Sequence, residues 1–509
     1  MTLLRILGIH FSKLINRILD YDKDPLLVQR KVLSNIIKVN KKTLFGKEHD
    51  FESIKSIRDF QKRCPVRKYT DFEPYIKKMI KGKQNILVGS KQIYWGKTAG
   101  SSGIPKLIPI TRKSVLNASK CSLRAILSYI AENPRENSKI LDGIMYFYSS
   151  DPYLEDINGI PVGFGTGAFD QSSTNQFLKH FRFNLYSPSK FYQINDFKTR
   201  TNAMVSESYD LNITSFFGVT SILINLMETM LEKAPDNGYN ADKLIDLFPN
   251  YVFSIMGGEP FRFYENRLNQ IVGREIDCRE IYGATEETIA IQMGEKKGLT
   301  PMLDVNFYEF IPVKKPNERL LINEVKKNEE YMIILTNYNG LYSYNIEDVV
   351  EFLSIDPPLI QFKRRLNTMN LASEKLTIDQ LDYSIKQADR KMNGKVKDYI
   401  ICGIFDPKPR YVLLIEFIPN AHPDNYKEYL KEFNLNLMEI SSIYEALIKT
   451  YKAIYPPIMW VLEDNSFRNF QLKQLQAGKP AGQTKFPRIS VDQDILTDFQ
   501  EMVMKKIEI

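Results

Sequence analysis

Between residues 93 and 258, short apolar runs alternate with stretches of helical spacing, and no other feature constrains the fold as strongly. Ile93-Tyr94-Trp95 reads as a strand. Residues 111–130 follow as a helix that Thr111 would cap. The I-M-Y-F-Y run at 144–148 is a buried strand, and 213–217 is another, leading into a helix through Leu226 and Met230. Residues 251–256 form a further strand that runs into Gly257-Gly258. Strands that alternate with helices build a mostly parallel sheet, because joining parallel neighbours takes a crossover. Ligands of such sheets bind beyond the carboxyl ends of the strands, where the Gly-rich segments fall here.

The flanks have a different texture. Residues 6–76 read as helical, with apolar spacing in Leu14-Ile15-Ile18-Leu19 and Leu33-Ile36-Ile37, punctuated by Phe45-Gly46-Lys47 and Cys64-Pro65. Residues 301–350 turn to short β-type segments, F-Y-E-F at 307–310, M-I-I-L at 332–335 and the run 342–350, which predict an antiparallel subdomain. After a break at 363–367, helix, strand and helix at 378–387, 411–417 and 426–433 predict a small α+β domain. The expectation is therefore an α/β protein. A large N-terminal domain, residues 1–363, would combine mostly parallel sheets with an antiparallel β subdomain, and a small α+β C-terminal domain, residues 368–509, would sit on a hinge.

Composition removes several function classes. With 43% apolar and 26% charged residues the chain is globular. It has no continuous apolar run of about 18 residues, which argues against an integral membrane span. The net charge of +8 is scattered among acids. That disfavours nucleic acid as a partner and suits an anionic small molecule. Four cysteines without C-x-x-C and four histidines without H-x-x-x-H argue against zinc or a disulfide framework, and for a reducing, cytoplasmic setting. The opening M-T-L-L-R-I-L-G-I-H-F reads as an amphipathic helix, not a signal peptide.

The chemistry concentrates in a few segments. In T-A-G-S-S-G-I-P-K, residues 98–106, small residues keep the backbone accessible. Successive N–H groups, with the hydroxyls of Thr98, Ser101 and Ser102, can then wrap a phosphate oxygen. Gly103 adds freedom and Lys106 a point charge. An ordinary Ser/Gly surface loop is the bland alternative. Gly96-Lys97-Thr98 mimics the end of a Walker loop but lacks its upstream glycine, and Gly163-Phe164-Gly165-Thr166-Gly167 lacks dinucleotide-binding spacing. G-G-E-P, Gly257 to Gly258, Glu259 and Pro260, follows a strand. Y-G-A-T-E-E begins with Tyr282, Gly283, Ala284, Thr285 and Glu286. Its aromatic ring can stack on a base, and Glu286 offers a hard oxygen for Mg²⁺. Either of these two alone also reads as a tight turn at a sheet edge. Asp348 in Y-N-I-E-D can accept both ribose hydroxyls or belong to a solvated acidic turn. In F-K-R-R-L-N, Phe362 to Asn367, Arg364 or Arg365 can reach ribose or phosphate or form a basic linker. Near the end, G-K-P-A-G-Q-T-K-F-P-R carries two lysines, Lys479 and Lys485. One of them can swing into a site, unless the segment is simply a basic loop.

In this order the segments resemble the adenylate-forming superfamily of acyl and aryl ligases. Within it, the chain is similar to the acyl acid–amido synthetases of the auxin-conjugating Gretchen Hagen family. Phe45-Gly46-Lys47, Pro74-Tyr75-Ile76, the F-Y-E-F run, Phe362-x-Arg364-Arg365-x-Asn367 and Lys485-Phe486-Pro487-Arg488 share that family's texture across nearly the whole chain. Where the family often reads Y-R-V-G-D, this chain has Tyr344-Asn345-Ile346-Glu347-Asp348, and the superfamily's R-x-D hinge is Arg365-Leu366-Asn367. The resemblance implies ATP-dependent adenylation of a carboxylic acid, then acyl transfer to an amine such as an amino acid, with ATP and Mg²⁺ required. Acyl-CoA formation and a non-catalytic nucleotide-binding role are the alternatives. The resemblance assigns Ser101, Ser102, Gly103 and Lys106 to phosphate. It assigns Tyr282 with Gly258, Glu259 and Pro260 to adenine, Asp348 and Arg365 to ribose, and Lys485 to the substrate carboxylate and α-phosphate, favoured over Lys479 because its flank matches. Phe217, Gly218, Val219 and Thr220, with the helix at 111–130, would line the acyl pocket. Arg124 on that helix would either meet a second substrate carboxylate or lie on the surface.

Overall fold

The structure is a computed structural model that describes residues 2–18, 24–98, 106–148, 152–172, 185–194, 197–258, 261–294, 298–365, 368–372, 374–405, 408–470, 488–490 and 493–509. The chain divides into two compact units, residues 1–98 with 106–364, and residues 365–509.

In the larger unit the helical start resolves into Leu3–Ile18, Pro25–Asn40, Leu44–Glu48, Ile57–Arg63 and Tyr69–Ile80. The second helix begins where such a sequence should begin one: Asp24 accepts the N–H of Leu27 at 2.8 Å, and Pro25 takes the first turn, where no N–H is needed. The alternating segment forms a seven-stranded sheet in the order Thr300–Pro301, Glu287–Ile291, Asp277–Ala284, Phe253–Gly257, Ile213–Val219, Ile144–Tyr148, Leu185–Tyr186. The run from Asp277–Ala284 to Leu185–Tyr186 is parallel throughout, and Glu287–Ile291 and Thr300–Pro301 add antiparallel edges. The long helix Arg112–Glu132, capped by Thr111 accepting the Ser114 N–H, covers one face. There Cys121, Ala125 and Ile130 pack with Phe217, Phe253, Ile255 and Ile291.

A second sheet runs Lys106–Thr111, Gln92–Thr98, Ile160–Phe164, Glu155–Ile157 and is mixed, with parallel pairing only between its two middle strands. The antiparallel subdomain follows as Phe307–Pro312, Glu330–Thr336, Tyr344–Ile355 and Pro358–Arg365. These two sheets and the N-terminal helices share one apolar core, in which Phe45 stacks on Tyr342 at 4.5 Å.

The smaller unit carries a five-stranded sheet ordered Ile489–Ser490, Val396–Ile404, Arg410–Phe417, Tyr455–Leu462, Val503–Glu508, together with the helices Ile378–Met392 and Tyr426–Ile440. The former opens on a capping box of Thr377 and Gln380. Just before it, buried Glu374 accepts the N–H groups of Leu371 and Ala372 and the hydroxyl of Tyr411, and burial pushes its carboxyl up to about 7. Among the described residues no helix is long and apolar enough to cross a membrane.

Candidate active site

Three parallel strands end side by side: Val219 is the register partner of Gly257, and Gly257 of Ile281. Only glycine fits the middle position, since a Cβ on Gly257 would lie 2.6 Å from the Ile281 carbonyl oxygen. Gly258 then takes φ +89°, a conformation that L side chains rarely adopt. Thr220, at the start of the helix Thr220–Lys233, donates its hydroxyl to the Gly257 carbonyl at 3.2 Å. Thr220, Gly258 and Tyr282 thus stand together at the carboxyl edge of the sheet, where a doubly wound fold places ligands.

The Y-G-A-T-E and Y-N-I-E-D segments lie on different sheets and are tied together crosswise. Tyr282 donates its hydroxyl to Asp348 at 2.7 Å, and Tyr344 donates to Glu286 at 3.2 Å. Each motif's tyrosine therefore holds the other motif's acid. The ring of Phe362 tilts against that of Tyr282, with centres 5.5 Å apart.

Beneath Glu286 lies a buried polar network. Its carbonyl accepts both Asn337 Nδ2 at 2.9 Å and Asn339 Nδ2 at 3.0 Å. Asn339 Nδ2 also donates to Ser114 Oγ, and Asn339 Oδ1 accepts the Thr111 N–H at 2.9 Å. Ser114 in turn donates to Glu287 at 2.7 Å. Glu287 is 4% exposed, and burial pushes its carboxyl up to about 8 against the Ser114 and Thr288 hydrogen bonds. The N-Y-N-G turn at 337–340, with Gly340 at φ +78°, was a readable turn signal, but its service to Glu286 was not.

In Y-N-I-E-D, Glu347 adopts φ +65°, at the position where the resemblance leads one to expect glycine. Asn345 Oδ1 accepts the Glu347 N–H at 2.8 Å. The loop keeps a glycine-like backbone without the glycine, at a cost of about 1 kcal/mol.

Thr98 and Lys106 are opposite partners in an antiparallel ladder, so the strands Gln92–Thr98 and Lys106–Thr111 form the two arms of a hairpin, and residues 99–105 lie outside the described residues. Lys106 is 9% exposed, with its ammonium 5.4 Å from the centre of the Tyr69 ring. The hairpin abuts the 282–286 turn through Thr285. A Cβ on Gly96 would come within 2.5 Å of Thr285 Cγ2, and one on Gly165 within 2.9 Å of Thr285 Oγ1. Gly96 and Gly165, from the two segments that mimic nucleotide-binding fingerprints, let their backbones approach Thr285 closely.

Thr98, Lys106, Gly258, Tyr282, Gly283, Ala284, Thr285, Glu286, Asp348 and Phe362 therefore belong to one neighbourhood of the larger unit. Ser101, Ser102, Gly103, Glu259, Pro260, Asn367, Lys479 and Lys485 lie outside the described residues. Arg365 ends the strand Pro358–Arg365 and groups with the smaller unit. Phe217 faces the helix Arg112–Glu132 and packs against Phe253, with ring centres 6.5 Å apart, while Gly218 approaches the Tyr148 carbonyl. Arg124 needs a correction. It is buried, not on the surface, and its guanidinium meets Asp304 at 2.8 and 2.7 Å. An internal carboxylate takes the place assigned to a substrate's second one.

Among the described residues no group of three or more His, Cys, Asp or Glu side chains converges to hold a metal. A single buried carboxylate, Glu286, fits a Mg²⁺ ion carried in by phosphate oxygens, since this ion keeps water and phosphate in its shell and takes one or two carboxylates.

The layered larger unit and its smaller companion define the class by fold. A solved GH3.15 acyl acid amido synthetase covers 96% of this chain and 95% of its own, at 17% identity and TM-score 0.60. A 2-hydroxyisobutyryl-CoA ligase covers 95% and 92% at 12% identity and TM-score 0.54. In sequence, the GH3 family N-terminal domain matches residues 14–232, the central domain 299–365 and the C-terminal domain 379–494. The chain belongs to the GH3 family. A jasmonoyl–L-amino acid synthetase of Nicotiana attenuata is 23% identical over 451 residues, which span 75% of this chain and 76% of that protein.

Proposed function

We propose that this protein is an acid–amino acid ligase that activates a small carboxylic acid as its adenylate with ATP and passes the acyl group to an amine. The crossed pairs Tyr282–Asp348 and Tyr344–Glu286 carry this reading. They bring two remote motifs of adenylate-forming ligases to one place, beside the hairpin that Lys106 closes. Family membership and the names of its relatives support it. The buried, unpaired thiols of Cys64, Cys121 and Cys402 suit a reducing cytoplasmic setting.

In the first step a substrate carboxylate oxygen attacks the α-phosphorus and pyrophosphate leaves. The P–O bond to pyrophosphate breaks as the mixed anhydride forms. Lys106 and the hairpin it closes hold the phosphate tail for in-line attack and offset its charge. Asp348, steadied by Tyr282, holds the ribose, and the Tyr282 and Phe362 rings with Gly258 flank the base. Glu286, oriented by Tyr344 and the asparagine amides, would be the protein ligand for Mg²⁺, which shields the phosphate charge when bound. Lys485 supplies the charge that bridges the substrate carboxylate and α-phosphate. In the second step an amine nitrogen attacks the acyl carbon, the bond to AMP breaks, and the amine proton is released.

The test is ATP–pyrophosphate exchange with a panel of carboxylic acids, followed by mass analysis of products formed with amino acids or with coenzyme A. Acid-dependent exchange and an amide product are expected. ATP binding without AMP release for any acid would favour a non-catalytic role, and a thioester product would replace the amine with a thiol. The K485A variant should abolish exchange; full exchange would remove Lys485 from the mechanism.

A further inference from the structure

Tyr69 lies far upstream of the segments assigned to phosphate, adenine and ribose, at the start of the helix Tyr69–Ile80. Yet its side chain meets the hairpin at the residue next to Lys106. The hydroxyl accepts the Leu107 N–H at 2.8 Å and donates to the Leu107 carbonyl at 3.1 Å. Lys106–Thr111 is one of the two edge strands of its sheet, so this one hydroxyl does for Leu107 what a neighbouring strand would do. The same ring lies 5.4 Å from the Lys106 ammonium, within the range of a cation–π contact. Burial, opposed in part by the Leu107 hydrogen bond, pushes the Tyr69 hydroxyl up to about 12, and the Glu73 charge and then the Glu286 charge add to the rise, so the hydroxyl keeps its proton at neutral pH.

We propose that Tyr69 is a positioning residue for Lys106: its hydroxyl fixes the strand from which the lysine springs, and its ring fixes the ammonium above that strand, ready for the β- and γ-phosphates of a nucleoside triphosphate. The inference rests on the reading of Lys106 as a phosphate contact. A tyrosine can donate and accept through one hydroxyl and offer its ring face to a cation. This one engages both main-chain groups of Leu107 and the ammonium of Lys106 with one side chain. An ammonium held in one rotamer gives up less freedom when phosphate arrives, which raises affinity without a new contact.

Calorimetric titration of ATP and of adenosine into the full chain tests this with Y69F, Y69L, K106A and Y69L/K106A. Y69L should weaken ATP about tenfold and leave adenosine within twofold. Y69F, which keeps the ring and folds more readily, should show a smaller loss of the same kind. In the K106A background Y69L should add nothing. Equal weakening of ATP and adenosine, or an undiminished Y69L effect in the K106A background, would overturn the proposal in favour of packing alone. A loss in K106A that neither Tyr69 variant shares would overturn it and leave Lys106 as a phosphate contact. Unchanged ATP affinity in K106A would sink the phosphate reading and the proposal with it.

Discussion

Replacing Glu287 by glutamine should stabilise the protein near neutral pH and do little in mild acid. The side chain is 4% exposed, and its hydrogen bonds come from the neutral Ser114 hydroxyl and Thr288 N–H. Burial therefore raises its carboxyl from 4.5 to about 8. Between those values the folded protein holds a proton that the unfolded chain has released, so stability falls as pH rises, by up to about 1.4 kcal/mol per pH unit. At pH 7 that penalty is roughly 3 kcal/mol. A glutamine carbonyl can accept the Ser114 hydroxyl as the carboxyl does, but its amide would face the Thr288 N–H and forfeit a long bond of 3.2 Å, costing about 1 kcal/mol. The net gain should be about 2 kcal/mol at pH 7 and close to zero at pH 5. Urea unfolding of E287Q and its parent at both pH values, followed through the transition of the larger unit, measures the difference. An equal effect at both values would refute the idea that Glu287 is buried as a neutral acid.

Other substitutions probe the site itself. G96A would place a methyl 2.5 Å from Thr285 Cγ2, so exchange activity should fall at least tenfold with a stability loss of about 1–3 kcal/mol, read by exchange assay and melting together. D348N removes the charged acceptor of Tyr282, and AMP affinity measured by calorimetry should drop about tenfold, or about 1.4 kcal/mol. E347G releases a backbone held at φ +65°, so it should leave stability unchanged or raise it by up to about 1 kcal/mol in denaturant titration, and a clear loss would show that the Glu347 side chain contributes more than its strain costs. D304N strands the buried Arg124 charge. Although burial opposes its ionisation, the Arg124 contacts hold Asp304 well below the usual carboxylate range, so their contribution is present at neutral pH and lost only in strong acid. The variant should be less stable by roughly 3 kcal/mol at pH 7.

Much of the architecture was legible because hydrophobic spacing reports it directly. The strand at 144–148, the capped helix after Thr111 and the change to antiparallel texture after 301 all follow local patterns and local chemistry. The strands Val396–Ile404 and Tyr455–Leu462 are not legible in the sequence. The first mixes Lys397 and Asp398 with its apolar residues, and the second carries Pro456-Pro457, so neither shows clean alternation. In the site, motif residues were legible as residue types, but their partners were not. Nothing near Tyr282 in sequence names Asp348 as its acceptor, and Ser114, Asn337 and Asn339 look like ordinary cap and turn residues. The burial of Arg124 is illegible for the same reason: its partner Asp304 is remote in sequence, and only the fold brings the two together.

The Glu286 carbonyl accepts two asparagine amides that belong to the turn after the strand Glu330–Thr336, while Glu286 itself sits in the turn that joins Asp277–Ala284 to Glu287–Ile291 in the seven-stranded sheet. The acid is thus bolted to one sheet and braced by another. A slip of either layer reaches Glu286 directly, so substitutions far out in the antiparallel subdomain should shift its position as readily as changes beside it.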